Sequence, residues 1–157
     1  MLYVFDLDGT LCDLSHRLHY IGASHTSFVG TEQTQGKDWD AFFAACKNDN
    51  PIFEVITVAR ALSSAGHTIV YSTGRPESTR SATIAWLQKY RLPLGLVYMR
   101  KDGDHREDSI VKEESLNKIL LEYKDKELGG AFEDRQQVVD MLRKRGVRVF
   151  QVAPGKF

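Results

Sequence analysis

Five short apolar runs separated by stretches of helical period restrict this chain to one class of architecture. Leu2–Phe5, His67–Ser72, Leu94–Met99, Gly130–Phe132 and Val147–Val152 read as strands. Pro51 opens a helix whose apolar face is Ile52, Val55, Ile56, Ala59 and Leu62, and Gly66 stops it. Pro76 opens a second helix with Ile84 and Leu87 on its apolar side. Ile110, Val111, Ile119, Leu120 and Tyr123 mark a third, and Val138 to Leu142 a fourth. Strands joined through helices run parallel, so the pattern predicts an α/β fold, a Rossmann-like parallel sheet of about five strands with helices on both faces. With 157 residues, 42% of them hydrophobic, residues 1–157 are expected to form a single domain with its own core and to leave no room for a second catalytic domain.

The segment 13–50 breaks the rhythm. Its middle, Gly22-Ala23-Ser24-His25 through Gln35-Gly36-Lys37, is polar and has neither period, so it reads as a small insertion, or cap, after the first strand. Within it, Ser15 to Ile21 and Asp38 to Cys46 are expected as short helices, the second capped by Asp38 with Trp39, Phe42 and Phe43 facing inward. Those three rings could also stack a base, but apolar residues at helical spacing are more often core, and core is the favoured reading.

Lys+Arg and Asp+Glu are both 21, so no global basic field exists to hold a long polyanion, and any nucleic-acid contact has to be local. Cys12 and Cys46 make no metal-ligand or C-x-x-C spacing and read as plain thiols. Met1 leads straight into a short apolar strand followed by acids, unlike a signal peptide or a bilayer span. The expectation is a cytoplasmic protein with no membrane contact and no obligate protein partner.

The chemistry concentrates where the first strand ends, at Asp6-Leu7-Asp8-Gly9-Thr10. Two carboxylates one residue apart raise each other's pKa unless a positive charge sits with them. Magnesium is the natural partner, because it takes hard oxygen ligands and keeps several waters. Gly9 allows a tight turn and Thr10 supplies a hydroxyl. A strand followed by Asp-x-Asp-Gly-Thr resembles the haloacid dehalogenase superfamily. That resemblance implies that Asp6 attacks phosphorus to form an aspartyl-phosphate, while Asp8 protonates the leaving oxygen and later activates water. It further implies a hydroxyl from Thr73, with Ser72 as competitor, in Tyr71-Ser72-Thr73-Gly74-Arg75; a neutralising Lys112; and an acidic pair Glu133-Asp134. The implied metal ligands for Mg²⁺ are Asp6, Asp8, Asp134 and Glu133.

A narrower likeness covers residues 1–12 and roughly 51–157. Met99-Arg100, Gly103-Asp104-x-Arg106-x-Asp108, Val111-Lys112-Glu113-Glu114, Glu133-Asp134-Arg135-Gln136-Gln137-Val138-Val139 and the terminal Gln151-Val152-Ala153-Pro154-Gly155-Lys156-Phe157 are similar to the phosphatase domain of bacteriophage-type polynucleotide kinase/3′-phosphatases. The family carries two aspartates where this chain has Glu133-Asp134, and it differs over 13–50. The likeness implies removal of 3′-phosphates from nucleic-acid ends or nucleotides, as in end repair. A 5′-nucleotide or sugar phosphate is the alternative substrate, and a non-catalytic phospho-receiver or binding module the alternative of another class. Thr10, Arg75, Arg100, Arg106, His16 and His19 are the expected substrate contacts, with surface ion pairs as the competing role of the arginines. His16 and His19 share a helix face but have no third ligand at zinc spacing. Gly30 to Gly36-Lys37-Asp38 is one residue too long and ends in Asp, so it is not an ATP-binding loop.

Overall fold

The computed structural model describes residues 1–22 and 36–155; most of the rejected ATP-loop stretch lies outside them. In chain order come β1 (Leu2–Phe5), β2 (Cys12–Asp13), a 3-10 turn (Ser15–Ile21), α1 (Trp39–Ala44), a second 3-10 turn (Ala45–Asn48) and β3 (Asn50–Pro51). Then follow α2 (Phe53–Ser64), β4 (Thr68–Pro76), a 3-10 turn (Glu77–Thr79), α3 (Arg80–Lys89), β5 (Val97–Arg100), α4 (Asp108–Glu122), β6 (Leu128–Arg135), α5 (Gln136–Lys144) and β7 (Val149–Gly155).

The main sheet has five strands in the order β5-β4-β1-β6-β7, and every pairing is parallel. Alternation along β1 divides the core. Phe5 packs with Ile69 and Tyr71 against Ile56 and Ala59 of α2 and Trp86 and Leu87 of α3. Leu2 and Val4 face the other way, with Val70 and Ala131 against Leu116 and Ile119 of α4 and Val138 and Leu142 of α5. A strand buried on both faces has to be apolar throughout, which is why these runs do not alternate in sequence.

Some boundaries moved. Pro51 belongs to β3, and α2 starts two residues later behind Ile52. The third strand begins only at Val97, leaving Leu94 92% exposed in the connection. Gly66, at φ +88°, ends α2 as expected. The insertion has a neck: β2 and β3 form an antiparallel ribbon in which Asp13 pairs with Asn50. Beyond it, Leu14, Leu18, Ile21 and Phe42 form a small separate core with Phe43 packed on it. Asp38 caps α1 by accepting from the Ala41 N–H at 2.9 Å. Of the three rings expected inside, only Phe42 is buried; Trp39 is 44% exposed, because a six-residue helix on so small a core can bury one stripe only.

Candidate active site

β1 lies between β4 and β6, where the strand order reverses direction, and this is where open α/β sheets form a crevice at their carboxyl edge. Asp6 is the first residue past β1, held in line by its N–H to Phe132 O at 3.0 Å. The chain then turns sharply, with the N–H groups of Thr10, Leu11 and Cys12 all donating to Leu7 O. Gly9 sits in the turn at φ +85°, and a Cβ there would overlap the Asp134 carboxylate. A side chain is therefore excluded both by conformation and by space.

Asp6 is buried and both of its oxygens are engaged. Lys112 Nζ lies 2.6 Å from Oδ1, and Thr10 Oγ1 donates to Oδ2 at 3.0 Å. Lys112 sits one turn into α4 after Asp108, which points the two side chains the same way. Its ammonium also meets Glu133 Oε2 at 2.8 Å and Asp108 Oδ2 at 3.6 Å. Burial pulls the Lys112 pKa down, but Asp6, Glu133 and Asp108 override it and hold the ammonium charged. Glu133 turns its other oxygen inward, accepting the N–H groups of Asp134 and Arg135 at 3.0 Å each.

Carboxylate oxygens of Asp6, Glu133 and Asp134 all lie within 4.8 Å of one another. Grouped so closely, they carry more negative charge than the shared Lys112 balances. Burial, then repulsion from Glu133, pushes Asp6 well above the ordinary carboxylate range. The same two causes push Asp134 up to about 7. A hard divalent cation fits this set, since the donors are all oxygen and the uncompensated charge is negative.

Asp8 belongs to a different group. Its carboxylate accepts from Arg17 Nη2 at 2.6 Å and from Arg75 Nη2 and Nε at 2.6 and 3.0 Å. Both guanidiniums also hold Asp49, with Arg17 at 2.7 Å and Arg75 at 3.0 Å. Two arginines and two aspartates balance, so the nearby Asp8–Cys12–Asp49 grouping needs no cation. Burial acts to raise the Asp8 pKa, but Arg75 and Arg17 outweigh it and bring the carboxyl down to about 2. The side chain of Asp8, expected among the metal ligands, thus lies outside the Asp6–Glu133–Asp134 cluster and is held ionised.

Several expected substrate contacts have other partners. Arg75 is fully buried and bonds Asp8, Asp49 and Thr83. Arg100 clamps the loop after β5 through Gly74 O, Asp104 O, Arg106 O and Asp108. Arg106 is taken up by Asp104 and Glu114 on the surface. His16 bonds Asp49 at 2.8 Å, and His19 lies tilted against the Tyr20 ring. Thr10 serves Asp6. Thr73 is buried, its hydroxyl accepting the Arg75 N–H at 3.2 Å, while Ser72 lines a small cavity of about 20 Å³ with Asp6 and Lys112. Three residues at the site had no role in the sequence reading of its chemistry: Arg17, Asp49 and Asp108. Asp108 stands four residues before Lys112, a visible helical signal; nothing local marks Arg17 or Asp49.

Residues 30–157 match the family described as "Polynucleotide kinase PNKP phosphatase domain", so the match begins after the Asp6 turn. Among solved structures, the chain is similar to one in a Pnkp1/Rnl/Hen1 complex, with 27% identity and a TM-score of 0.74 over 99% of this chain and 46% of that one. This chain thus spans less than half the length of the first structures it matches. A class C acid phosphatase from Bacillus anthracis (15% identity, TM-score 0.63, 99% of this chain and 67% of that) shares the fold. So does a predicted phosphatase from Clostridium acetobutylicum (17%, 0.64, 96% and 83%). With the family match over most of its length and the five-stranded parallel sheet beneath its acidic cluster, the chain belongs to the family of polynucleotide kinase phosphatase domains, on the haloacid dehalogenase fold.

Proposed function

We propose that the chain is a magnesium-dependent phosphomonoesterase that works through an aspartyl-phosphate on Asp6 and removes 3′-phosphates from nucleic-acid ends or nucleotides. The observation that carries the reading is Asp6 itself, buried at the sheet edge between the Lys112 ammonium and the acids Glu133 and Asp134. Asp6, Asp134 and Glu133 would hold the Mg²⁺, with Asp8 contributing from the backbone turn rather than from its side chain. Bound there, the ion would offset phosphate charge and let Asp6 remain ionised.

Asp6 Oδ attacks phosphorus, the ester P–O bond breaks, and the leaving alkoxide takes a proton. Water then attacks the aspartyl-phosphate and loses a proton as inorganic phosphate departs. Lys112 and the Thr73 hydroxyl stabilise charge on the phosphoryl oxygens. We assign both proton transfers to Asp8, two residues after the nucleophile. Its ionised state suits the second, and the first requires its carboxyl to leave the arginine pair with a proton. The described part of segment 13–50 would shield the site, and Arg17 within it bonds Asp8.

The test compares phosphate release, with and without Mg²⁺, from a 3′-phosphorylated oligonucleotide, a 3′-mononucleotide and a 5′-mononucleotide. Preference for the 3′-phosphates and a loss of at least about 10³-fold in Asp6→Asn are expected. Equal rates on all three would sink the substrate reading, and full turnover by Asp6→Asn the nucleophile.

A further inference from the structure

Beside the acidic cluster lies a cavity of about 500 Å³ that reaches from Asp6 and Asp134 to Trp39 and Phe43 of α1. A phosphoryl group would fill only part of it, and the volume falls in the range typical of small-molecule sites. Two unlike groups of residues line much of the remainder. From the insertion come the rings of Trp39 and Phe43, whose planes lie 24° apart with centroids 5.8 Å apart. From the loop after β5 come Lys101, Asp102 and His105, all exposed.

Trp39 is poorly explained by packing. Of the α1 rings, Phe42 is the one buried in the small core with Leu14, Leu18 and Ile21, and it supports the indole edge-on at 5.6 Å. The indole itself stays 44% exposed at the mouth of a site that handles phosphate. Lys37 Nζ lies over its ring, 5.8 Å from the centroid, at a distance that a stacking base would take up by displacing the flexible side chain. A flat aromatic wall with polar groups of both signs around it, next to a phosphate-sized acidic site, suits a ligand with a π-face, a polar edge and an attached phosphate. A phosphorylated nucleotide has all three.

We propose that Trp39 is a specificity-determining residue whose indole stacks on the terminal nucleobase of the substrate while the phosphate sits at Asp6. The proposal rests on the phosphomonoesterase reading and narrows it to esters that carry a base. Stacking is sequence-tolerant, because every base has a π-face, so discrimination is between base and no base rather than among bases.

The experiment measures kcat and KM for Mg²⁺-dependent phosphate release by wild type, Trp39→Ala and Trp39→Phe. The substrates are a 3′-mononucleotide, the base-free deoxyribose 3-phosphate and acetyl phosphate. In Trp39→Ala, KM for the nucleotide should rise roughly ten- to hundredfold, with the other two substrates unchanged and Trp39→Phe recovering most of the loss. An equal effect on all three substrates overturns the stacking role and leaves the phosphatase reading standing. Fluorescence gives a second measure that does not need turnover. The chain has two tryptophans, and Trp86 is buried with its Nε1–H on Asp49 O, so quenching by the 3′-mononucleotide should vanish in Trp39→Phe. Quenching that survives in Trp39→Phe, or is absent from wild type, also overturns the proposal, even if no substrate is hydrolysed.

Discussion

Asp6 and Asp8 are two residues apart and titrate in opposite directions. Asp6 shares one ammonium with Glu133 and is crowded by Asp134, whereas Asp8 has two guanidiniums that also hold Asp49. Local charge balance, not residue type, leaves the cluster at Asp6 short of positive charge and the one at Asp8 neutralised. A pH dependence follows at the first cluster. With Asp134 raised to about 7, protons compete with metal below neutrality. Mg²⁺ affinity should climb as pH rises from 5 to 7, by about tenfold per pH unit for each proton displaced from the cluster. Titration calorimetry in buffers of different ionisation enthalpy would count the protons; affinity constant from pH 5 to 7 would contradict the assignment.

At the scale of elements, the insertion is joined to the sheet by a ribbon of two-residue strands and by the charge network. Arg17 comes from the first 3-10 turn, Asp49 from just after the second, Asp8 from the turn after β1 and Arg75 from β4. Arg17 is buried under Phe42, its Cζ 4.3 Å from the ring centroid. Trp86 of α3 reaches the same place by donating to Asp49 O at 2.9 Å. Removing Asp49 leaves two buried arginines with one shared carboxylate. Asp49→Ala should therefore cost about 3–5 kcal/mol, read as a lower denaturation midpoint with unchanged m-value. Cost below about 1 kcal/mol would mean that the network is wet and weak. The conservative Asp49→Asn keeps the shape but not the charge, and should recover only part of the loss.

For the whole molecule, the same clusters set how stability varies with pH in the absence of metal. Asp134 has a folded-state pKa above its unfolded value of 3.8, so between about 4 and 7 the native state binds the extra proton. Stability from this group accordingly falls as pH rises through that window. Asp8 behaves oppositely: its pKa is lowered to about 2, so its contribution is full above about 4 and is lost as pH falls towards 2. Metal-free protein is thus expected to melt at a lower temperature at pH 7.5 than at pH 5, and Mg²⁺ to raise the pH 7.5 value by binding only the folded state. Thermal scans at the two pH values, with Mg²⁺ and with chelator, check both signs; a metal-free Tm that rises from pH 5 to 7.5 would overturn the first.

The apolar runs, the helical periods and the acids after strand ends were all legible along the chain, because each depends on neighbours in sequence. They predicted a five-stranded parallel sheet and brought Asp6, Thr73, Lys112 and Asp134 to its carboxyl edge. The Asp13–Asn50 pair joins residues far apart in the chain, and no local pattern marks it. Charge pairing was not legible either. Arg17 meets Asp49 across 32 positions and Arg75 meets Asp8 across 67, and no local pattern encodes which arginine finds which acid. The same holds for Trp39, whose helical spacing read as core until the small size of the insertion's own core left it at the rim of the cavity. Sequence determined which chemistry stands at the strand ends; tertiary structure alone decided which charges are paired there and which are left for a cation, since pairing depends on distances that only the folded chain creates.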